Sequence, residues 1–196
     1  MNYIHYGKWF AIVTLLTGAL LVQGAPTAQA DPPKTSIAPL LLIPSGAVAP
    51  GTGSILVRTN EGVGATVHAF GLVPGNAYTL WWAIFNNPKK CATDPCTPAD
   101  FPNPDVQGAL LSGTGQIAGE DGNADFGVFR AVGDPSGKEE GTAEALEKPF
   151  KAQIHLAVRS HGPASADPAI LQQQLTMFNG GCAPTCMTVQ FAPHEP

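Results

Sequence analysis

The chain has 196 residues, 44% of them hydrophobic and 13% charged, with 22 Gly, 19 Pro and a net charge of −5. Soluble proteins average about 25% charged residues and about 12% Gly plus Pro, so this composition excludes a coiled coil or long-helix bundle. The apolar content excludes a charged disordered tail. The acidic balance, with no basic run longer than Lys89–Lys90, argues against nucleic acid as a partner, because phosphate binding needs a concentrated basic patch.

The chain opens with Lys8 and an apolar run of fourteen residues, Trp9 to Val22, followed by Ala28-Gln29-Ala30. The run is short for a membrane span, and the small-residue pattern after it is that of a cleavage site. Residues 1–30 therefore read as a signal peptide cleaved near Ala30, giving a secreted or periplasmic product without a membrane span in its mature part.

Residues 31–52 carry Pro at 32, 33, 39, 44 and 50. Pro lacks an amide donor and blocks both helix and central-strand pairing. An extended lead-in follows, with an edge strand expected at Leu40–Ile43. Residues 53–196 read as a single domain of short strands. Ser54–Thr59 and Ala65–Phe70 flank a Gly-rich turn and predict a hairpin. Leu72-Val73-Pro74-Gly75-Asn76-Ala77-Tyr78 has the form of a tyrosine corner, in which the Tyr78 hydroxyl bonds back to corner backbone. That geometry places Leu72, Pro74, Gly75 and Tyr78 in structural roles. Tyr78–Phe85 is apolar on both faces, hence a central buried strand, with Trp81 or Trp82 in the core.

Gln116–Ala118 and Ala124–Val132 flank a Glu120-Asp121-Gly122-Asn123 turn and predict a second hairpin. Glu139–Glu147 is compatible with a short helix. Ala152–Val158 alternates, with Ile154, Leu156 and Val158 on one face and Gln153, His155, Ala157 and Arg159 on the other. Asp167 and Pro168 predict the start of a helix through Ala169–Gln174. Leu175–Phe178 and Met187–Phe191 suggest a last hairpin. Strands of this length without βα alternation predict an all-β fold, an antiparallel immunoglobulin-like β-sandwich with long disulfide-stapled loops and one or two short helices.

Cys91, Cys96, Cys182 and Cys186 form an even set in an exported chain, which reads as two disulfides. Three connectivities are possible. The local pairs Cys91–Cys96 and Cys182–Cys186 are favoured, because each brackets a short Pro-containing loop. A zinc site of four thiolates is the alternative, although C-x4-C and C-x3-C are looser than the usual knuckle spacing.

Four blocks carry a family resemblance: Tyr78–Trp82 with Phe85-Asn86-Asn87-Pro88, Gly127–Asp134, Ile154–Gly162 and Phe178-Asn179-Gly180-Gly181-Cys182. Together they resemble a family of uncharacterised exported bacterial β-sandwich proteins, itself similar in outline to secreted domains of the chordin-repeat type (CHRD-like). The resemblance implies export and fold, and brings no reaction, cofactor or catalytic residue.

For chemistry, His68, His155 and His161 are candidate Cu or Zn ligands, with Asp125, Asp134 or His194 as a possible further one. On an unbroken strand His155 and His161 stand about 20 Å apart, so one ion needs His155 to face His68 across strands. Arg130 and Arg159 could clamp an anion, or pair with Asp125 or Asp134. Ser160 and His161 are sequence neighbours on a strand and point apart, so they make no nucleophile–base pair. The functional expectation is a binding or surface-interaction protein acting through its stapled loops on an unidentified extracytoplasmic ligand. A His-based metal-binding protein and a hydrolase are the alternatives. No cofactor is required.

Overall fold

The computed structural model describes residues 30–196, so the signal segment expected at 1–30 lies, Ala30 apart, outside the described residues. Ten strands and one α-helix follow in chain order: β1 Lys34–Ala38, β2 Leu41–Leu42, β3 Gly53–Arg58, β4 Gly62–Ala69, β5 Asn76–Phe85, β6 Gly108–Ile117, β7 Ala124–Ala131, β8 Lys138–Glu140, β9 Gln153–Pro163, α1 Pro168–Thr176 and β10 Met187–His194. They build two antiparallel sheets, one of order β1-β3-β4-β7 and one of order β2-β10-β9-β5-β6-β8. The all-β sandwich expected from sequence is the observed fold.

The Pro-rich segment supplies an edge strand to each sheet, where missing amide donors cost nothing in the ladder. Among the described strands β1 pairs with β3 and β2 with β10, and Leu41 of β2 adds a single bridge to Val48. The β3–β4 hairpin closes between Arg58 and Val63, with Thr59 and Gly62 exchanging backbone bonds. In the corner before β5, Gly75 adopts φ 75°, a region that favours glycine, and the Tyr78 hydroxyl accepts a hydrogen bond from the Val73 amide at 3.0 Å.

The central strands explain the layering. Along β5, Tyr78, Leu80, Trp82 and Ile84 enter the core between the sheets, where they meet Ile154, Leu156 and Val158 of β9 and Leu56, Val63, Val67 and Phe126 of the other sheet. Trp81, Ala83 and Phe85 point the opposite way. They form a second apolar cluster with Leu110, Cys96, Phe101 and Val106. Both tryptophans are therefore buried, in separate cores. The second cluster exists because residues 86–107, two 3-10 turns and irregular chain, fold over the outer face of the larger sheet. At about 1.5–3 kcal/mol for each large apolar side chain, this outer layer rivals a small core.

Three local expectations are corrected. The turn at 120–123 joins β6 to β7, which belong to different sheets, so it is a crossover and closes no hairpin. Gly122 supplies its φ of 76°. Residues 139–147 form no helix: Lys138–Glu140 pairs with β6 as an edge strand, which the sheet-forming neighbour imposes over local propensity. Residues 175–178 do not pair with 187–191, because α1 runs through Thr176 and β10 instead bridges β9 and β2. α1 starts as its sequence dictates, with the Asp167 side chain accepting from the Ala169 and Ile170 amides and Pro168 leading the first turn.

Candidate functional site

The outer face of the larger sheet carries two buried histidines from one strand, His155 and His161, in opposite circumstances. His155 lies between Phe85 and Phe191, with ring centroids 5.2 and 5.8 Å away. It is 5% exposed, and its Nε2 has no hydrogen-bond partner among the described residues. Burial, assisted by the nearby His194, pushes its pKa down to about 4, so the imidazole is neutral at physiological pH.

This ring forms part of the wall of a cavity of about 240 Å³, lined chiefly by apolar groups including Phe85, Phe101, Phe178, Phe191 and Leu110. Phe85 and Phe101 stack with their centroids 5.1 Å apart. Apolar concave sites with a few convergent polar groups are the usual form of small-ligand pockets. A cleft of about 330 Å³ lies where α1 crosses the same face, beside Thr79, Ser112, Thr114 and Gln172, and it has no ionisable lining residue.

The cavity wall formed by residues 86–107 is fixed by polar anchors. Gln153, at the start of β9, accepts from the Cys96 amide at 2.7 Å and donates to the Glu195 carboxylate at 2.6 Å. Asp100 accepts from the Ala92 and Thr97 amides, both at 2.8 Å. These bonds hold its carboxyl below the ordinary carboxylate range. Asn86 donates to the Ala145 carbonyl and accepts from the Glu147 amide. The Cys91–Cys96 disulfide closes the loop.

At the other end of β9, His161 is wholly buried and fully paired. Its Nδ1–H donates to the Gly180 carbonyl at 2.9 Å, so Nε2 accepts from the Thr79 hydroxyl at 2.8 Å. Thr79 in turn accepts from the Trp81 indole N–H at 2.7 Å. Burial and the charge of Arg159 hold its pKa below the ordinary histidine value, against the pull of Gly180. Cys186 Sγ, in the Cys182–Cys186 disulfide, lies 3.1 Å from Nδ1.

The remaining sequence candidates are dispersed. His68 pairs with Asp125 at 2.6 Å on the exposed face of the smaller sheet. His68 on β4 and His155 on β9 lie in different sheets, so they do not face each other across paired strands and the candidate metal site built on that pair is not assembled. His194 donates from Nε2 to Ser54 and accepts at Nδ1 from Ser36, and burial together with Arg58 pushes it to about 4. Arg130 lies on β7 and Arg159 on β9, in different sheets, so they form no anion clamp. Arg130 binds Asp134 at 2.8 Å together with the carbonyls of Ser136 and Ser112. Arg159 lies 3.9 Å over the Phe178 ring and donates to the Phe178 and Cys186 carbonyls and the Asn179 side chain. Both cysteine pairs are local disulfides, which removes the four-thiolate zinc alternative.

Three residues with large roles carried little signal in sequence. Arg58 is buried and donates to the carbonyls of Pro149, Ala152, His194 and Glu195, and burial lowers its pKa to about 10. Phe101 lines the cavity, and Gln153 anchors the loop that carries it through the Cys96 amide. An isolated Phe among prolines at 101–104 was the available sign of loop burial.

Comparison with known protein families, with curated proteins and with solved structures finds no match to this chain. Among the described residues, no helix is long and apolar enough to cross a membrane.

Proposed function

We propose that this is an exported binding protein that takes a small aromatic ligand with one polar group into the cavity at His155. The single observation that carries this reading is a neutral imidazole whose buried Nε2 has no hydrogen-bond partner among the described residues, in a ring that lines a chiefly apolar, aromatic cavity with Thr97, Glu140 and Thr188 as its other polar side chains. A buried polar group without a partner costs about 1–3 kcal/mol. A ligand hydroxyl that reaches it recovers part of that cost, while stacking and edge contacts with Phe85, Phe101, Phe178 and Phe191 hold a ring. A volume of about 240 Å³ suits one or two fused rings, below the usual drug-sized pocket. His155 is paired to no nucleophile, which favours binding over hydrolysis. Export is supported by the apolar run and the Ala28–Ala30 pattern, and by two disulfides, bonds that persist in oxidising compartments.

Fluorescence titration with 2-naphthol tests the reading, with 2-methoxynaphthalene as the analogue lacking a hydroxyl. The expected result is saturable one-to-one binding of naphthol, about tenfold weaker binding of the methoxy compound, and loss of both in Ala157→Trp, which fills the cavity. Equal affinities, absence of binding, or binding untouched by the filled cavity would overturn it.

A further inference from the structure

We propose that reduction of the Cys182–Cys186 bridge creates a three-coordinate site for Cu(I), with Cys182 Sγ, Cys186 Sγ and His161 Nδ1 as its ligands. These three atoms lie within 4.8 Å of one another, and no fourth titratable side chain joins them among the described residues. Two thiolates and one imidazole at the corners of a triangle, with bonds of about 2.0–2.3 Å, stand about 4 Å apart. In the closed bridge the two sulfurs are bonded and Cys186 Sγ lies 3.1 Å from Nδ1, so opening the bridge has to part the sulfurs to that spacing. Zn(II) calls for four ligands in tetrahedral array. Soft thiolates with a low coordination number select Cu(I).

The bridge is placed to be opened. Cys182 and Cys186 are both half-buried, whereas the other bridge joins the half-buried Cys91 to Cys96, which is buried at 3% exposure within the apolar outer layer. Its ring spans a sequence separation of four residues, so its closure restrains the unfolded chain little. The segment keeps other anchors when the bridge is cut: Arg159 holds Phe178, Asn179 and the Cys186 carbonyl, and Gln174 donates to the Gly181 carbonyl at 2.9 Å. His161 stays oriented by Thr79, as ligand histidines are oriented by partners on their second nitrogen.

The chemistry balances as follows. A phosphine opens the bridge: phosphorus is oxidised to the phosphine oxide with oxygen from water, the S–S bond breaks, and the two water protons end on the two sulfurs. A dithiol does the same by forming its own disulfide. Cu(I) then displaces both thiol protons to solvent. The His161 proton passes from Nδ1 to Nε2, which gives up the bond to the Gly180 carbonyl; Nε2–H then donates to Thr79 Oγ1, whose own hydroxyl proton turns away from the ring while Oγ1 still accepts from Trp81 Nε1–H.

The test is an anaerobic titration of phosphine-reduced, desalted protein with Cu(I) in competition with bicinchoninate. One tightly bound Cu(I) is expected, absent from the oxidised protein, lost in Cys182→Ser/Cys186→Ser and retained in Cys91→Ser/Cys96→Ser. His161→Ala weakens it by more than about tenfold, the smallest loss usual when even an outer partner of a ligand is removed. X-ray absorption at the copper edge of the reduced wild-type protein needs no variant to fold, and should show two sulfurs and one nitrogen. A sulfur-only shell, binding insensitive to His161→Ala, or binding that survives loss of Cys182 and Cys186 overturns the proposal. None of these outcomes bears on the naphthol titration.

Discussion

His155 and His161 come from one strand, face the same side of one sheet and are both buried, yet one has an unpaired ring nitrogen and the other has both nitrogens bonded. The difference lies in what covers them. His155 is covered by aromatic rings, which shield it without satisfying it. His161 is covered by backbone and a hydroxyl, which satisfy it completely. An unmet hydrogen-bonding valence costs stability until some partner reaches it. A satisfied one marks a structural post, which changes role only when the adjoining bridge opens.

The comparison breaks most visibly at the wall over His155. Phe101→Ala removes the ring stacked on Phe85 and should cost about 3–5 kcal/mol by urea denaturation, with loss of naphthol binding. A stability loss under 1 kcal/mol would show that the outer layer is not a core.

Acid should give the next largest effect. His155 and His194 have folded pKa values near 4, below the unfolded value of about 6.5, so the unfolded chain takes up protons first. Stability is complete above pH 6.5 and falls as pH drops from 6.5 towards 4, by up to about 3 kcal/mol for one such histidine. Below that window the histidine contribution is exhausted, and protonation of Asp100, whose carboxyl the Ala92 and Thr97 amides hold below the ordinary range, takes over. Melting temperature against pH checks this, and a flat profile between pH 7 and 4.5 contradicts it.

Exchange of each histidine for an apolar side chain sharpens the contrast directly. His161→Phe leaves the Thr79 hydroxyl and the Gly180 carbonyl without their partners and should destabilise by about 1–3 kcal/mol. His155→Leu removes an orphan and should lie within about 1 kcal/mol of the parent, on either side. Equal losses in denaturant would dissolve the distinction. The smallest effect is expected from the bridges: limiting phosphine should reduce Cys182–Cys186 before Cys91–Cys96, with a stability change below the roughly 3 kcal/mol of a 15-residue loop. Alkylation and peptide mapping would report the order.

Much of the sandwich was readable because its rules are local. Asp167-Pro168 starts α1 by satisfying its own first amides, the Leu72–Tyr78 corner is a contiguous motif, and the alternation of 154, 156 and 158 against their neighbours survives in β9. The apolar character of β5 on both faces already required something to cover Trp81, Ala83 and Phe85. What covers them was not readable, because residues 86–107 have no periodicity and are buried by contacts with β9 and the chain end near Glu195. The same gap hid the site. The alternation of its strand put His155 on the outward face, and the rings that cover it, Phe85 and Phe191, lie on other strands, far away in sequence. Arg58 ends an ordinary strand, and its four carbonyl partners lie at 149, 152, 194 and 195.

The layer over His155 contributes no strand to either sheet. It is tied to the sandwich by side chains such as Gln153 and Asn86 and by the rings it presents. The ladder of the larger sheet would be unchanged if residues 92–105 were replaced by another sequence of equal span. The cavity thus takes one wall from the strands, through Phe85, His155 and Phe191, and another from Pro95–Phe101, so a library confined to that loop would vary a single wall against a fixed one.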